Sequence, residues 1–153
     1  MKVIMPVFVQ NQETLELTKD AIFSLGDCEL IIIDNDSNIG GGYFRALATT
    51  YIRNNRNLGY AQAVNQGLKL ISDEFVAIAN NDIRISPNWQ EVTQLQISLY
   101  KNSAEDILGT LHFRMTDYDI PFEYGSGTWT ENKERWCTGS FFIIKREALP
   151  EGL

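Results

Sequence analysis

A chain of 153 residues, 44% hydrophobic and 22% charged, is long enough for one globular domain with a real core, and its composition is neither fibrous nor disordered. The net charge of −7 and pI near 4.7 argue against nucleic acid as a partner, because binding to a phosphate backbone is driven by Lys and Arg. No window approaches the roughly 20 apolar residues of a membrane span, and the run before Pro6 is too short for a secretory signal, so the chain reads as cytoplasmic. Cys28 and Cys137 lie far apart without CxxC spacing, which suggests buried thiols rather than a disulfide or zinc framework.

Val3 to Phe8 forms the first strand candidate, with Pro6 expected at its end or on a sheet edge because Pro cannot donate to a ladder. Gln10-Asn11-Gln12-Glu13 introduces a helix running to about Leu25, with Leu15, Thr18, Ala21, Ile22 and Leu25 on one face. Leu30 to Ile33 is a second strand, continuous and β-branched, ending in Asp34-Asn35-Asp36-Ser37-Asn38. Two strands joined by one helix make a right-handed βαβ unit, which delivers both polar ends to the same rim.

Ile39 to Arg53 reads as a loop over that rim, or as a plain linker; Tyr43 to Ile52 within it fits a short helix or a further strand. Gly40-Gly41-Gly42 lacks the Lys-Ser/Thr ending of a phosphate loop. The turn-rich Asn54-Asn55-Arg56-Asn57-Leu58-Gly59 leads into a helix from about Tyr60 to Ser72, with Ala61, Val64, Leu68 and Ile71 as its apolar stripe. Asn65 falls on that stripe, where a buried amide must find partners; position alone favours a structural tie over a ligand contact.

Phe75-Val76-Ala77-Ile78-Ala79 is the third strand, five apolar residues that stop abruptly in Asn80-Asn81-Asp82. Such a run reads as buried on both faces of a parallel sheet, and ligands of open α/β sheets bind outside the carboxyl ends of the strands. Asp82 is therefore the first candidate to hold a hard cation, although Asn-Asn-Asp is also ordinary turn chemistry, and Asp34 has the same bland alternative.

Ser86-Pro87 suggests an N-cap with Pro at the first helical position, followed by a helix with Val92, Leu95 and Leu99 on one face and an end at Asn102-Ser103. Ile107 to Phe113 is a fourth strand containing His112, the only histidine, which lacks partners at ligand spacing and reads as structural. Phe122 to Thr130 suggests an edge hairpin arm, Asp117 and Asp119 solvated loop carboxylates, and Cys137 to Ile144 a last strand. Trp89, Trp129 and Trp136 could stack on a ligand, but core or edge packing is the simpler reading, as core packing is for Phe8.

The order of a strand ending in Pro6-Val7-Phe8, a strand ending in Asp34-Asn35-Asp36-Ser37, then Asn57-Leu58-Gly59-Tyr60-Ala61-Gln62-Ala63-Val64-Asn65-Gln66-Gly67, then Asn80-Asn81-Asp82, resembles family 2 glycosyltransferases of the GT-A fold. Thr138 to Leu149 looks like that family's acceptor-side strand, so the likeness spans nearly the whole chain. It implies an α/β, GT-A-like fold, a mostly parallel sheet flanked by helices and incomplete at the C-terminus, with residues 1–153 as a single nucleotide-sugar-binding domain truncated from a longer one. It also implies transfer of a sugar, with inversion, from a UDP- or dTDP-sugar to a saccharide or lipid-linked hydroxyl acceptor, as in polysaccharide biosynthesis.

By the same resemblance Pro6 and Phe8 would line the base pocket, Asp34 would accept a hydrogen bond from the base, and Gly59, beside Asn57, would allow close backbone approach. Asn65 would support the nucleotide site, and Asn80-Asn81-Asp82 stands in place of the family's Asp-x-Asp, with Asp82 and Asn80 toward Mg²⁺ or Mn²⁺ and Asn81 toward the donor. Asn80 removes one negative charge from that pattern, so metal affinity without donor should be low. The family's general base is expected beyond Leu153, which leaves the chain as given without a candidate for it and without turnover of its own. The alternative is a non-catalytic module that keeps the sheet for binding.

Overall fold

In the computed structural model, residues 1–101, 110–112 and 141–146 are described. The chain runs β1 (Lys2–Val7), α1 (Gln12–Leu25), β2 (Glu29–Asp34), α2 (Gly41–Leu47), β3 (Thr50–Arg53), α3 (Tyr60–Leu68), β4 (Phe75–Ala79), α4 (Trp89–Lys101), β5 (Thr110–His112) and β6 (Phe141–Lys145). These strands make one mixed sheet in the order β3-β2-β1-β4-β6-β5. The first four strands are parallel, and β6 runs antiparallel to both β4 and β5.

The continuous apolar runs are explained by what covers them. One face of the sheet, carrying Val3, Met5, Val7, Leu30, Ile32 and Ala77, packs against Leu15, Ala21, Ile22 and Leu25 of α1 and against Trp89. The opposite face, carrying Ile4, Ile31, Ile33, Val76 and Ile78, packs against Ala63, Val64 and Leu68 of α3. Side chains alternate along a strand, so a strand covered on both sides needs apolar residues at every position. Gly67 of α3 makes this contact close: a Cβ there would lie 2.6 Å from Ile4 Cγ2.

Pro6 sits inside β1, which has a neighbour on each side, but pairing with β4 stops at Ile4. By Pro6 the strand is bonded to β2 alone, where a residue without N–H is tolerated.

Several expectations are corrected. Ile39 to Arg53 is neither loop nor linker: α2 and the edge strand β3 occupy it, so both of the alternatives for Tyr43 to Ile52 are used in succession. Helix α3 ends at Leu68 rather than Ser72, with the Arg146 guanidinium donating to the carbonyls of Leu68 and Ile71. Ala61 is exposed and lies off its buried stripe. Helix α4 starts at Trp89, after a turn in which Trp89 N–H reaches the Ser86 carbonyl at 3.1 Å.

The buried residues of α4 are Trp89 and Thr93, whereas Leu95 and Leu99 are 58% and 57% exposed. Trp89 decides this: its indole N–H donates to the Leu25 carbonyl at 2.9 Å and its ring meets Phe141 edge-on at 5.3 Å, so it is a core residue. The expected N-terminal and C-terminal parts of the Ile107 to Phe113 strand, the Phe122 to Thr130 arm, Asp117, Asp119, Trp129, Trp136 and Cys137 lie outside the described residues.

Candidate functional site

The strand order contains a switch point. From β1 the chain builds outward through β2 to β3 on one side, then crosses to place β4 on the other. Adjacent strands at such a point leave a crevice at their carboxyl ends. Here the ends of β1 and β4 supply Phe8 and Asn80-Asn81-Asp82, and the end of β2 supplies Asp34. All belong to one rim because β1, β2 and β4 are parallel. Asp34 is level with Val7 in the register, and β4 lies two strand spacings from β2, roughly 10 Å.

Asp34 is fully buried. Its Oδ1 accepts the Ser37 N–H at 2.8 Å, and its Oδ2 accepts the Tyr51 hydroxyl at 2.6 Å and Arg53 Nη1 at 2.7 Å. A carboxylate offers about four acceptor positions, so three are occupied within the fold. Arg53 also donates through Nη2 to Asp36 and to the Ser37 carbonyl, which closes the turn after β2. Asp36 takes a left-handed backbone there, φ 70°. Burial, reinforced by the hydrogen bond to Asp34, raises the Tyr51 phenol above its ordinary value and keeps it a donor.

Amides extend the network. Asn35, buried, donates to the Gly59 carbonyl and accepts from Asn54, while Asn54 and Gln66 exchange two hydrogen bonds of 2.9 and 3.0 Å. Asn57 Oδ1 accepts the Gly59 N–H at 2.8 Å, and Gly59, at φ 85°, starts α3 without a side-chain cap. The positive φ is the reason for glycine at that position. Asn65 is half-buried within α3, Pro6 is buried in β1, and Phe8 is 43% exposed at the end of β1.

The segment after β4 divides its three polar residues. Asn81 Nδ2 donates to Thr18 Oγ1 at 2.8 Å. Asn80 Oδ1 is buried and, among the described residues, has no hydrogen-bond partner. Asp82 is exposed, and among the described residues no hydrogen bond or ion pair engages it. A carboxylate without a partner among the described residues, two positions after an amide oxygen in the same state, offers hard-oxygen donors of the kind Mg²⁺ and Mn²⁺ accept. Among the described residues no group of three His, Cys, Asp or Glu converges.

Sequence reasoning missed Tyr51, Arg53, Asn54, Gln66 and the task of Thr18. Thr18 carried a signal, a hydroxyl on an otherwise apolar helix face; Tyr51 and Arg53 carried none without the β2–β3 register, which sets Ile32 beside Tyr51 and Asp34 beside Arg53.

The family model described as Glycosyl transferase family 2 matches residues 2–153. No curated protein matches by sequence. Among solved structures, the chain is similar to the mannosyltransferase PcManGT from Pyrobaculum calidifontis in complex with GDP-Man and Mn²⁺, at 18% identity and TM-score 0.61, covering 97% of this chain and 45% of that one. It is also similar to S. aureus TarS 1-349, at 15% identity and TM-score 0.68, covering 98% of this chain and 48% of that one. The same TarS fragment in complex with UDP-GlcNAc matches equally, at TM-score 0.68 over 98% of this chain and 46% of that one. The chain thus has the GT-A fold and spans a little under half the length of these neighbours. Among the described residues no helix is long and apolar enough to cross a membrane.

Proposed function

Because the chain belongs to glycosyl transferase family 2, we propose that it binds a nucleotide-diphosphate sugar across the rim formed by β1, β2 and β4, as one domain, in support of sugar transfer to a saccharide or lipid-linked hydroxyl. The observation that carries this reading is that Asp82 and, two residues before it, the buried Asn80 oxygen both lack partners among the described residues, at the carboxyl end of β4 beside the switch point of the sheet. The structural neighbours support the ligand class, since one is a complex with GDP-Man and Mn²⁺ and another a complex with UDP-GlcNAc.

Asp82 and Asn80 would hold Mg²⁺ or Mn²⁺ together with the donor's diphosphate. A divalent cation there offsets the charge that builds on the diphosphate as the glycosidic bond breaks. The chain's own residues have the remaining tasks. Phe8, half-exposed at the end of β1, offers an apolar face to the base, with Pro6 fixing the backbone beneath it. Asp34 is fully buried with three acceptor positions filled by Ser37, Tyr51 and Arg53, so a hydrogen bond from the base to its fourth would require the rim to open over it. Gly59, held by Asn57 and Asn35, keeps the start of α3 free of side-chain bulk, and Asn65 supports that helix from within.

Calorimetric titration with UDP, dTDP and GDP, each with and without Mn²⁺, tests the reading. Binding of UDP or dTDP that Mn²⁺ strengthens, and that Asp82→Ala reduces to its metal-free level, is the expected result. A folded sample that gives no heat with any nucleotide overturns it.

A further inference from the structure

Residues 80 to 85 belong to no helix or strand, yet they follow α1 closely. Three polar ties join the two: Asn81 Nδ2 to Thr18 Oγ1 at 2.8 Å, Arg84 Nη2 to Asp20 Oδ2 at 2.9 Å, and Ile85 N–H to Ser24 Oγ at 3.1 Å. Ile83 and Ile85 are buried in the same core cluster as the apolar face of α1. The ties are not equal. The Arg84–Asp20 pair is exposed at both ends, 73% and 57%, and exposed pairs contribute little. Thr18 is 0% exposed.

The Thr18 hydroxyl has one proton, and that proton goes to the Thr14 carbonyl at 2.8 Å, one helical turn back. Its oxygen is therefore left as an acceptor aimed out of α1, and only a donor can meet it. This orients the Asn81 amide: its NH₂ must face Thr18 and its carbonyl oxygen must face away. Asn81 immediately precedes Asp82, so fixing the Asn81 side chain fixes the peptide from which the free carboxylate projects. A valine of the same shape would pack equally well on this face but would leave the Asn81 N–H without a partner in a half-buried place.

We propose that Thr18 is a positioning residue for Asp82: the hydroxyl on α1, acting through Asn81, holds the carboxylate at the geometry that a cation bound with a donor diphosphate requires. The inference rests on the donor-binding reading above and adds to it a residue 64 positions away in sequence that touches neither nucleotide nor metal. A plain core threonine would serve stability alone; a positioning threonine also sets the metal-dependent part of binding.

The experiment measures UDP affinity with and without Mn²⁺ for wild type, Thr18→Val, Thr18→Ser and Asp82→Ala, and takes the ratio of the two affinities as the metal increment. Thr18→Val is expected to leave metal-free affinity within about twofold of wild type and to cut the increment about twofold to twelvefold, the range for one hydrogen bond of about 0.5–1.5 kcal/mol. Thr18→Ser is expected to restore it. Should Thr18→Val fail to fold, Thr18→Ala removes the same hydroxyl without filling its place and is read in the same way. A full increment in the folded Thr18→Val or Thr18→Ala protein, alongside its loss in Asp82→Ala, overturns the positioning role and leaves the donor-binding reading intact. A wild type without any increment, or an Asp82→Ala protein that keeps it, overturns both.

Discussion

Replacing Asp34 by Asn changes no volume and removes only charge and one acceptor, so the effect can be worked from the hydrogen bonds alone. The carboxylate accepts from three donors, Ser37 N–H, Tyr51 hydroxyl and Arg53 Nη1, and has no solvent of its own. An amide can be turned in two ways. With its oxygen toward Ser37, the NH₂ confronts the Arg53 guanidinium; with its oxygen toward Tyr51 and Arg53, the NH₂ confronts the Ser37 N–H. Either orientation leaves one donor–donor contact in a buried place, which costs about 1–3 kcal/mol, and the bonds that remain lose their ionic strengthening. Arg53, with 39% of its side chain exposed, reaches water to recover part of its solvation, which keeps the total below the cost of stranding a fully buried charge.

The sum is roughly 3 kcal/mol, equivalent to a fall in Tm of about 6–12 °C for a domain of this size. Urea and thermal melts followed by far-UV circular dichroism give both numbers. Asp34→Asn combined with Arg53→Met removes the conflicting donor and should recover part of the loss. A single variant within about 0.5 kcal/mol of wild type would refute the reasoning, because it would mean that the carboxylate is not engaged by these donors in solution.

Two further outcomes follow from packing and from ionisation. Gly67→Ala gains about 1 kcal/mol of helix propensity, but the new Cβ would lie 2.6, 2.9 and 3.0 Å from three atoms of the fully buried Ile4. Overpacking of that kind costs about 1–3 kcal/mol, so the variant should be less stable than wild type by roughly 1 kcal/mol, with favourable coupling to Ile4→Ala in a double-mutant cycle of urea midpoints. A more stable Gly67→Ala protein would show that β1 and α3 have room between them. Burial pushes the Cys28 thiol up to about 11 from an ordinary 9.0. The folded state favours the neutral thiol, so its contribution is complete below pH 9 and is lost as pH rises from about 9 to 11; Tyr51, also raised, adds a loss of the same sign at higher pH. The difference in urea midpoint between wild type and Cys28→Ala should therefore shift against wild type between pH 8 and pH 10. Peptide mapping after alkylation at pH 8 should find Cys28 far slower than free cysteine, and equal rates would contradict the burial argument.

The parts of the fold that were legible in the sequence are those with one dominant signal. Leu30 to Ile33 and Phe75 to Ala79 are apolar without interruption because helices cover both faces, and no amphipathic alternative competes with that pattern. Helix α1 was legible because its stripe and its Asn11 cap agree, the cap oxygen accepting Thr14 N–H at 2.9 Å. Residues 39 to 53 were not, since α2 has seven residues and β3 is a four-residue edge strand with exposed ends, both too short for periodicity to decide. Helix α4 misled for a different reason. Its apolar residues Val92, Leu95 and Leu99 do share a face, but Trp89 is larger and is fixed by Leu25 and Phe141, so it rotates Leu95 and Leu99 outward.

At the rim, the sequence shows a surplus of polar residues without indicating which of them hold the rim together; the structure shows which are engaged within the fold. Ser37 Oγ accepts Val9 N–H and so joins the end of β2 to the end of β1; Asp34 and Asn35 join β2 to β3 through Tyr51, Arg53 and Asn54; Asn54 and Asn35 then join β3 and β2 to α3 through Gln66 and Gly59. Asn81 joins the end of β4 to α1. The ties to α3 and α1 cross between elements that the backbone ladder leaves unconnected, and those among β1, β2 and β3 continue the ladder past the strand ends, so buried polar side chains gather at this end of the sheet. Of the three carboxylates there, Asp34 and Asp36 both face Arg53, and Asp82 alone has no partner among the described residues. On the donor-binding reading proposed above, a carboxylate whose neighbour Asn81 is tied to a buried hydroxyl would lower the cost of ordering a divalent ion and a diphosphate together, because part of the ordering would already be done by the fold.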